Sequence, residues 1–210
     1  MIRILIADDH AILRKGLKQI LLEQYPTAII EEANDAEEMI SKTMTGNYKI
    51  IICDLSMPGR SGLDVLPYIK QYFPQIPVLI LSLFPEEQYA IRALKGGASG
   101  YISKMAASTD LLKAVKVVLQ GHKYISSFMA EKMVENLEDG HFHKLPYEEL
   151  SNREFDIFKR IASGSRVIEI AEELSLSIST VSTYRARILA KMSMKTNAQL
   201  TRYCLDNKMA

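Results

Sequence analysis

Several short apolar runs in the first half of the chain each hand over to a side chain that can manage phosphate or a hard cation. "IRILIA" (Ile2–Ala7) is followed by Asp8 and Asp9, and "IIIC" (Ile50–Cys53) by Asp54. "VLILS" (Val78–Ser82) closes on the hydroxyl of Ser82, and "GYIS" (Gly100–Ser103) is followed by Lys104. If these ends meet, the carboxylates repel one another, and an oxygen-ligated divalent cation relieves the repulsion. Mg²⁺ is the natural candidate, since it takes a few carboxylates and keeps waters or phosphate oxygens as its other ligands. An aspartate in such a site can attack phosphorus and become an aspartyl phosphate. The cation, Ser82 and Lys104 would then stabilise the charge of the transferring phosphoryl group. Each element alone has a blander reading: a turn or cap for Asp-Asp, a solvated charge for Lys104. Their joint placement carries the chemistry. His10 reads as a helix-start residue, and His122, His141 and His143 read as solvated groups in or near a polar stretch.

The elements must bring those ends together. Five runs, Ile2–Ala7, Ala28–Ala33, Ile50–Asp54, Val78–Ser82 and Gly100–Ser103, are short and rich in Ile and Val, as parallel strands covered on both faces are. Amphipathic segments separate them. Leu13, Leu17, Ile20 and Leu21 recur at helical spacing, and Asp35–Met44 opens on a capping Asp. Gly62–Phe73 precedes Pro74, Pro85–Gly97 has a helix-starting Pro and a Gly-Gly stop, and Ser108–Gly121 starts on a Ser or Thr cap. This βα alternation implies a doubly wound α/β fold with a five-stranded parallel sheet. In such sheets ligands sit outside the carboxyl ends of the strands, where the acids, hydroxyl and ammonium would converge.

After Gly121 the strands stop. Tyr124–Leu137 reads as one more helix, and Glu138–Glu149, with Gly140 and Pro146, as a polar linker. Ser151–Gly164 opens on a capping box, Ser151 with Glu154 three residues on. Arg166–Leu176, Ser177–Met194 and Asn197–Asn207 follow as three further helices, so the second part is a small all-α domain. A length of 210 residues suits two such domains. Net charge is only +1, so any nucleic-acid site must be local. The two cysteines, Cys53 and Cys204, lie far apart in apolar contexts and read as buried thiols. The opening "MIRILIADDH" puts acids where a signal peptide would stay apolar, and no run reaches the roughly 18–20 residues of a membrane span. A cytoplasmic protein with no membrane contact is expected.

"ILIADDH", "IIICDLSMPGRSGLDVL", "VLILS" and "GASGYISK" together resemble the receiver domain of two-component response regulators, over roughly the first 120 residues. The resemblance implies a flavodoxin-like receiver in which Asp54 accepts phosphate from a sensor histidine kinase. It implies Mg²⁺ held by Asp8, Asp9, Asp54 and the backbone carbonyl of Ser56. Ser82 and Lys104 would contact the phosphoryl group, and Tyr101 would occupy the aromatic switch position, turning inward when Ser82 moves. Ser61 replaces an acid often found before Gly62.

In the third helix of the second part, Val181, Ile188 and Met192 form a core stripe with Tyr184 beside them. Ser179, Thr183, Ala186 and Ala190 fall opposite, with Ser182 and Arg187 at the edges. From Ser177 to Cys204 the chain carries Arg185, Arg187, Lys191, Lys195 and Arg202 and no acid. Such a helix can approach a groove and neutralise phosphates. "LSNREFDIFKRIASGSRVIEIAEELSLSISTVSTYRARILAKMSMKTNAQL" resembles the LuxR-type helix-turn-helix, which with the receiver gives the NarL/FixJ class. The resemblance places Ser182, Thr183 and Ala186 toward bases and Thr180, Arg187 and Lys191 toward phosphates. Ser182 and Tyr184 stand where the family commonly has Lys and His, and Ile168 where it often has Lys. The implied domains are a receiver at 1–121, a linker with a helix at 122–149 and a helix-turn-helix DNA-binding domain at 150–210. The implied function is a phosphorylation-activated transcriptional regulator, not an enzyme. Its partners would be a sensor histidine kinase, double-stranded DNA, a second copy of itself when phosphorylated, and RNA polymerase. Two other readings use the same residues. A phosphotransferase or phosphatase would need an acid two residues after Asp54, where Ser56 stands. A regulator that ignores phosphate would not need the intact acidic set.

Overall fold

The computed structural model describes residues 1–138, 146–207 and 209 of the chain. Gly140, His141 and His143, expected within the linker, lie outside the described residues. The chain forms two compact units, Met1–Asp139 and Gly140–Ala210.

The first unit carries strands β1 (Arg3–Ala7), β2 (Ile29–Ala33), β3 (Ile50–Cys53), β4 (Val78–Ser82) and β5 (Gly100–Ser103). They pair in parallel in the order β2-β1-β3-β4-β5. Helices α1 (Ala11–Gln24), α2 (Ala36–Thr45), α3 (Gly62–Tyr72), α4 (Glu86–Lys95) and α5 (Ala107–Leu119) fill the crossovers and the end. The central strands are buried on both faces, which is why they read as continuous apolar runs rather than alternations. Ile4, Ile6, Ile50, Ile52, Leu79 and Leu81 pack with Leu17 and Leu21 of α1 and with Leu111 and Val115 of α5. Leu5, Ile51 and Ile80, at alternate positions, are equally buried and project to the opposite face.

Two sequence expectations change. No Ser or Thr caps α5: the helix starts at Ala107 after Ala106, which makes no side-chain cap. A single 3-10 turn, Lys104–Ala106, runs straight into it, and the side chain that caps is Ser103, accepting from the Met105 N–H at 3.3 Å. Tyr124 does not open a helix. Its N–H donates to the Ser99 carbonyl at 2.8 Å, and it bridges Gly100 as a stub of added parallel strand. A side chain at Gly100 would press within 2.9 Å of the Tyr124 Cβ, so glycine permits the approach. Helix α6 (Ser127–Glu138) follows, with Met129 buried and the Ser126 hydroxyl bonded to Glu86 of α4 at 2.5 Å.

The second unit holds α7 (Asn152–Ala162), α8 (Val167–Glu173), α9 (Ile178–Lys191) and α10 (Asn197–Asp206). The capping box Ser151–Glu154 is formed as expected. Phe155, Phe158, Ile170, Val181, Ile188 and Leu200 make the core. Between α8 and α9 the chain reverses through Ser175 at φ +52°, and the Leu176 N–H returns to the Ala171 carbonyl at 2.8 Å. Cys53 and Cys204 are buried free thiols. No helix among the described residues is long and apolar enough to cross a membrane.

Candidate functional site

The carboxyl ends of β1 and β3 are neighbours at the point where strand order reverses, with Ala7 level with Cys53. The residues after them therefore emerge side by side. The Asp54 N–H donates to the Ala7 carbonyl at 2.8 Å, which carries the pairing one residue past the strand. Ligand atoms of Asp8, Asp9, His10 and Asp54 all lie within 4.8 Å of one another. Asp8 and Asp54 are buried, whereas Asp9 is partly open to solvent. The Lys104 ammonium, its side chain 6% exposed, bridges Asp8 Oδ2 and Asp54 Oδ2 at 2.7 Å each. Each carboxylate has thus spent one oxygen on the same cation.

Asp54 Oδ1 is buried and has no hydrogen-bond partner among the described residues. Such an atom is costly unless something binds it. A hard cation fits: the donors beside it are carboxylates, and the Asp9 edge is open to water and ligand. Burial pushes the Asp54 carboxyl up from its ordinary value, against the pull of Lys104. For Lys104 burial works downward, but the bonds to Asp54 and Asp8 outweigh it and hold the ammonium up. The two shifts differ in sense: Lys104 is held charged by its partners, whereas at Asp54 burial outweighs the lysine and leaves the carboxylate short of positive charge.

Ser82, fully buried, ends β4 beside β3, and its oxygen accepts the Phe84 N–H at 3.2 Å. The Tyr101 hydroxyl donates to the Phe84 carbonyl at 2.8 Å, so both side chains meet the backbone of Phe84. Tyr101 is 2% exposed, so its ring already lies inward. Ser56 stands in the loop beyond Asp54, itself exposed. That loop can close because Gly62, opening α3, meets the Asp54 carbonyl; a Cβ there would lie 2.3 Å from that oxygen. Ser61 caps α3 by accepting the Asp64 N–H.

Sequence reading missed two residues here. His10 joins the acids: its Nδ1 lies 2.6 Å from Asp9 Oδ1 and 3.2 Å from Asp8 Oδ1. Its place next to Asp-Asp was the available signal. Arg14 is buried, donates to the Asp8 carbonyl and pairs with Glu32, so it clamps the end of β1. Nothing in the sequence separates it from a solvated helix charge.

In the second unit, Ser179, Ser182, Thr183, Ala186 and Arg187 of α9 are exposed, while Thr180 is half-buried. Ser177 caps the helix, and its hydroxyl pairs with those of Ser179 and Thr180 at 2.8 Å. Thr183 Oγ1 donates to the Ser179 carbonyl at 2.9 Å. Arg185 Nε donates to Asn197 Oδ1 at 2.6 Å. The Lys191 ammonium is held by Glu154 Oε2 at 2.6 Å. Burial alone would raise the Glu154 carboxyl; Lys191 and the Ser151 N–H and hydroxyl outweigh it and hold it low.

Comparison with known proteins agrees with both halves. Residues 4–116 match the response regulator receiver domain, and residues 148–204 match the luxR family of bacterial regulatory proteins. The oxygen regulatory protein NreC of Staphylococcus carnosus is 36% identical over 213 residues, covering 99% of this chain and 98% of that protein. NreC of Staphylococcus aureus strain MRSA252 is 35% identical over a like span. A structure of RcsB from Salmonella typhimurium superposes with a TM-score of 0.70 at 26% identity, covering 96% of each chain. RcsB bound to promoter rprA in the presence of phosphomimetic BeF3⁻ superposes with a TM-score of 0.66 at 27% identity, covering 96% of this chain and 97% of that one. The chain therefore belongs to the two-component response regulators of the NarL/FixJ class, transcriptional regulators that join a receiver domain to a LuxR-type DNA-binding domain.

Proposed function

We propose that Asp54 is the phosphoryl acceptor of this regulator, and that its phosphorylation controls self-association and DNA binding by α9. The observation that carries this reading is the unpartnered, buried Asp54 Oδ1 beside a lysine-bridged carboxylate pair. Oδ1 attacks the phosphorus of a phosphohistidine on a sensor kinase. The O–P bond forms as the P–N bond breaks, and the imidazole keeps the electron pair. Asp8, Asp9, Asp54 and the Ser56 carbonyl would hold Mg²⁺. When bound, that ion supplies positive charge for the transferring phosphoryl oxygens. Lys104 shifts from its carboxylate partners toward the new phosphoryl oxygens. Ser82 donates to one of them, giving up the Phe84 N–H, and the inward ring of Tyr101 fills the space. Phosphorylation is a covalent switch here rather than a turnover step, and the attached DNA-binding domain supports that reading.

In the output domain, Ser182, Thr183 and Ala186 face base edges, while Thr180 and Arg187 contact phosphates. Lys191 reaches a phosphate only in competition with Glu154. A homodimer presents two copies of α9 to half-sites about one DNA turn apart. Contact with RNA polymerase and action in the cytoplasm complete the proposal. The domains run 1–121, 122–149 and 150–210, with α6 as the helix between receiver and output domain.

The test is to treat the purified chain with acetyl phosphate and Mg²⁺ and follow intact mass and sedimentation together. One phosphoryl group on the wild type and none on Asp54→Ala, with a shift toward dimer, is the expected result. A phosphoryl group retained by Asp54→Ala would refute the assignment.

A further inference from the structure

A helix that reads DNA usually sends long forked donors to guanine or adenine edges. The centre of the outward stripe of α9 holds none: Ser179, Thr183, Ala186 and Ala190, flanked by Ser182 and Arg187, are all exposed. Two nearby cations have partners within the domain: Arg185 gives its Nε to Asn197, and Lys191 is held by Glu154. Arg187 flanks the stripe as the phosphate contact proposed above. The hydroxyls are largely occupied too. Those of Ser177, Ser179 and Thr180 bond to one another around the helix cap. The sole donor of Thr183 is given to the Ser179 carbonyl, one turn back. What Thr183 has left to offer a base is its methyl group, with the Ala186 methyl beside it on the same face. Among the described residues, no hydrogen bond engages the Ser182 hydroxyl.

Thymine alone among the bases presents a methyl group in the major groove. Small side chains let the helix backbone sit deep enough for methyl groups to meet. We infer that α9 selects its DNA through the 5-methyl groups of thymines, with Thr183 as the principal reader, Ala186 extending the apolar strip and Ser182 supplying a hydroxyl contact. This rests on the DNA-binding reading above and specifies its ligand: half-sites whose identity lies in placed thymines rather than in guanine contacts.

The test starts from a random-sequence duplex library, selected with the full chain, acetyl phosphate-treated and untreated in parallel. Each thymine of the best duplex is then replaced singly by deoxyuridine, which pairs alike but lacks the methyl. At one thymine or more per half-site, affinity should fall about fourfold, the ratio expected for one methyl-sized burial. Thr183→Ser keeps the hydroxyl and its bond to Ser179 but removes the methyl. In that variant one of those positions should bind thymine and deoxyuridine equally. Selection that enriches no sequence would overturn the DNA-binding reading together with this inference. Enriched sites indifferent to deoxyuridine would overturn the inference alone. A deoxyuridine penalty that Thr183→Ser relieves nowhere would overturn the role of Thr183.

Discussion

The carboxyl-edge site draws its residues from the ends of four strands, buries most of them and ties them through one lysine. The outward face of α9 draws everything from a single helix and leaves it in water. Where charges are buried and mutually dependent, losing one group leaves the others stranded, and effects are large and local. Where contacts are small, exposed and separate, each is worth little and the sum decides. The first arrangement suits an event that must happen at one atom. The second suits a surface whose sequence preference is spread over several positions.

The strongest way to break this contrast is at Asp54. Asp54→Asn should abolish phosphoryl incorporation from acetyl phosphate, read by intact mass, whereas no single change among Ser182, Thr183 and Ala186 should weaken DNA binding more than about tenfold. An α9 substitution that eliminated binding while the domain stayed folded would show that the two sites are not built differently after all.

Lys104 tests the buried side of the contrast through stability. Lys104→Met leaves Asp8 and Asp54 facing each other unpaired, and removing one partner of such a buried cluster costs about 3 kcal/mol. The loss should appear in urea unfolding of the first unit without Mg²⁺, resolved from the second unit by hydrogen exchange. Unchanged stability would mean that the carboxylates do not depend on the lysine. Mg²⁺ itself should protect the same unit selectively, by roughly 2.7 kcal/mol at a concentration of 100 times its dissociation constant. Equal protection of both units would point to nonspecific ionic effects instead of the acidic edge.

How much of this could be read beforehand follows the same divide. Asp8, Asp9, Asp54, Ser82 and Lys104 stood out because each terminates a strand whose apolar run is unmistakable, and parallel topology aligns strand ends whatever the loops do. The core stripe of α9 was readable for the same reason, since Val181 and Ile188 repeat at helical spacing and both are buried. Side-chain pairing was not readable. Arg14 reaching the Asp8 carbonyl, or Lys191 reaching Glu154 across 37 positions, depends on how helices cross, which local pattern does not encode. Tyr124 failed for a related reason. It runs directly into the pattern of α6, but a vacant strand edge beside Gly100 offered its backbone a partner. The cap of α5 was misplaced because Ser108 and Thr109 are good cap residues, yet the turn carrying Lys104 had already set the helix direction.

The smallest effect expected lies in the Lys191–Glu154 pair, and pH gives its sign. Glu154 is held below its ordinary value in the folded domain. Its contribution is therefore complete above the unfolded carboxylate value, about 4.3 for a glutamate, and is lost as pH falls through the lower folded value. Because Lys191 is 40% exposed, solvent screens the pair, and Lys191→Met should cost only about 0.5–1 kcal/mol at neutral pH. In acid that deficit should shrink, since a protonated Glu154 has no charge for Lys191 to meet. Unfolding of the second unit measured from pH 7 down to pH 3 should thus show wild type and Lys191→Met converging. Parallel curves would mean that Lys191 stabilises the domain by packing its stem alone. In that case its ammonium is free for a phosphate, and the exposed face of α9 gains the cation that Glu154 otherwise withholds.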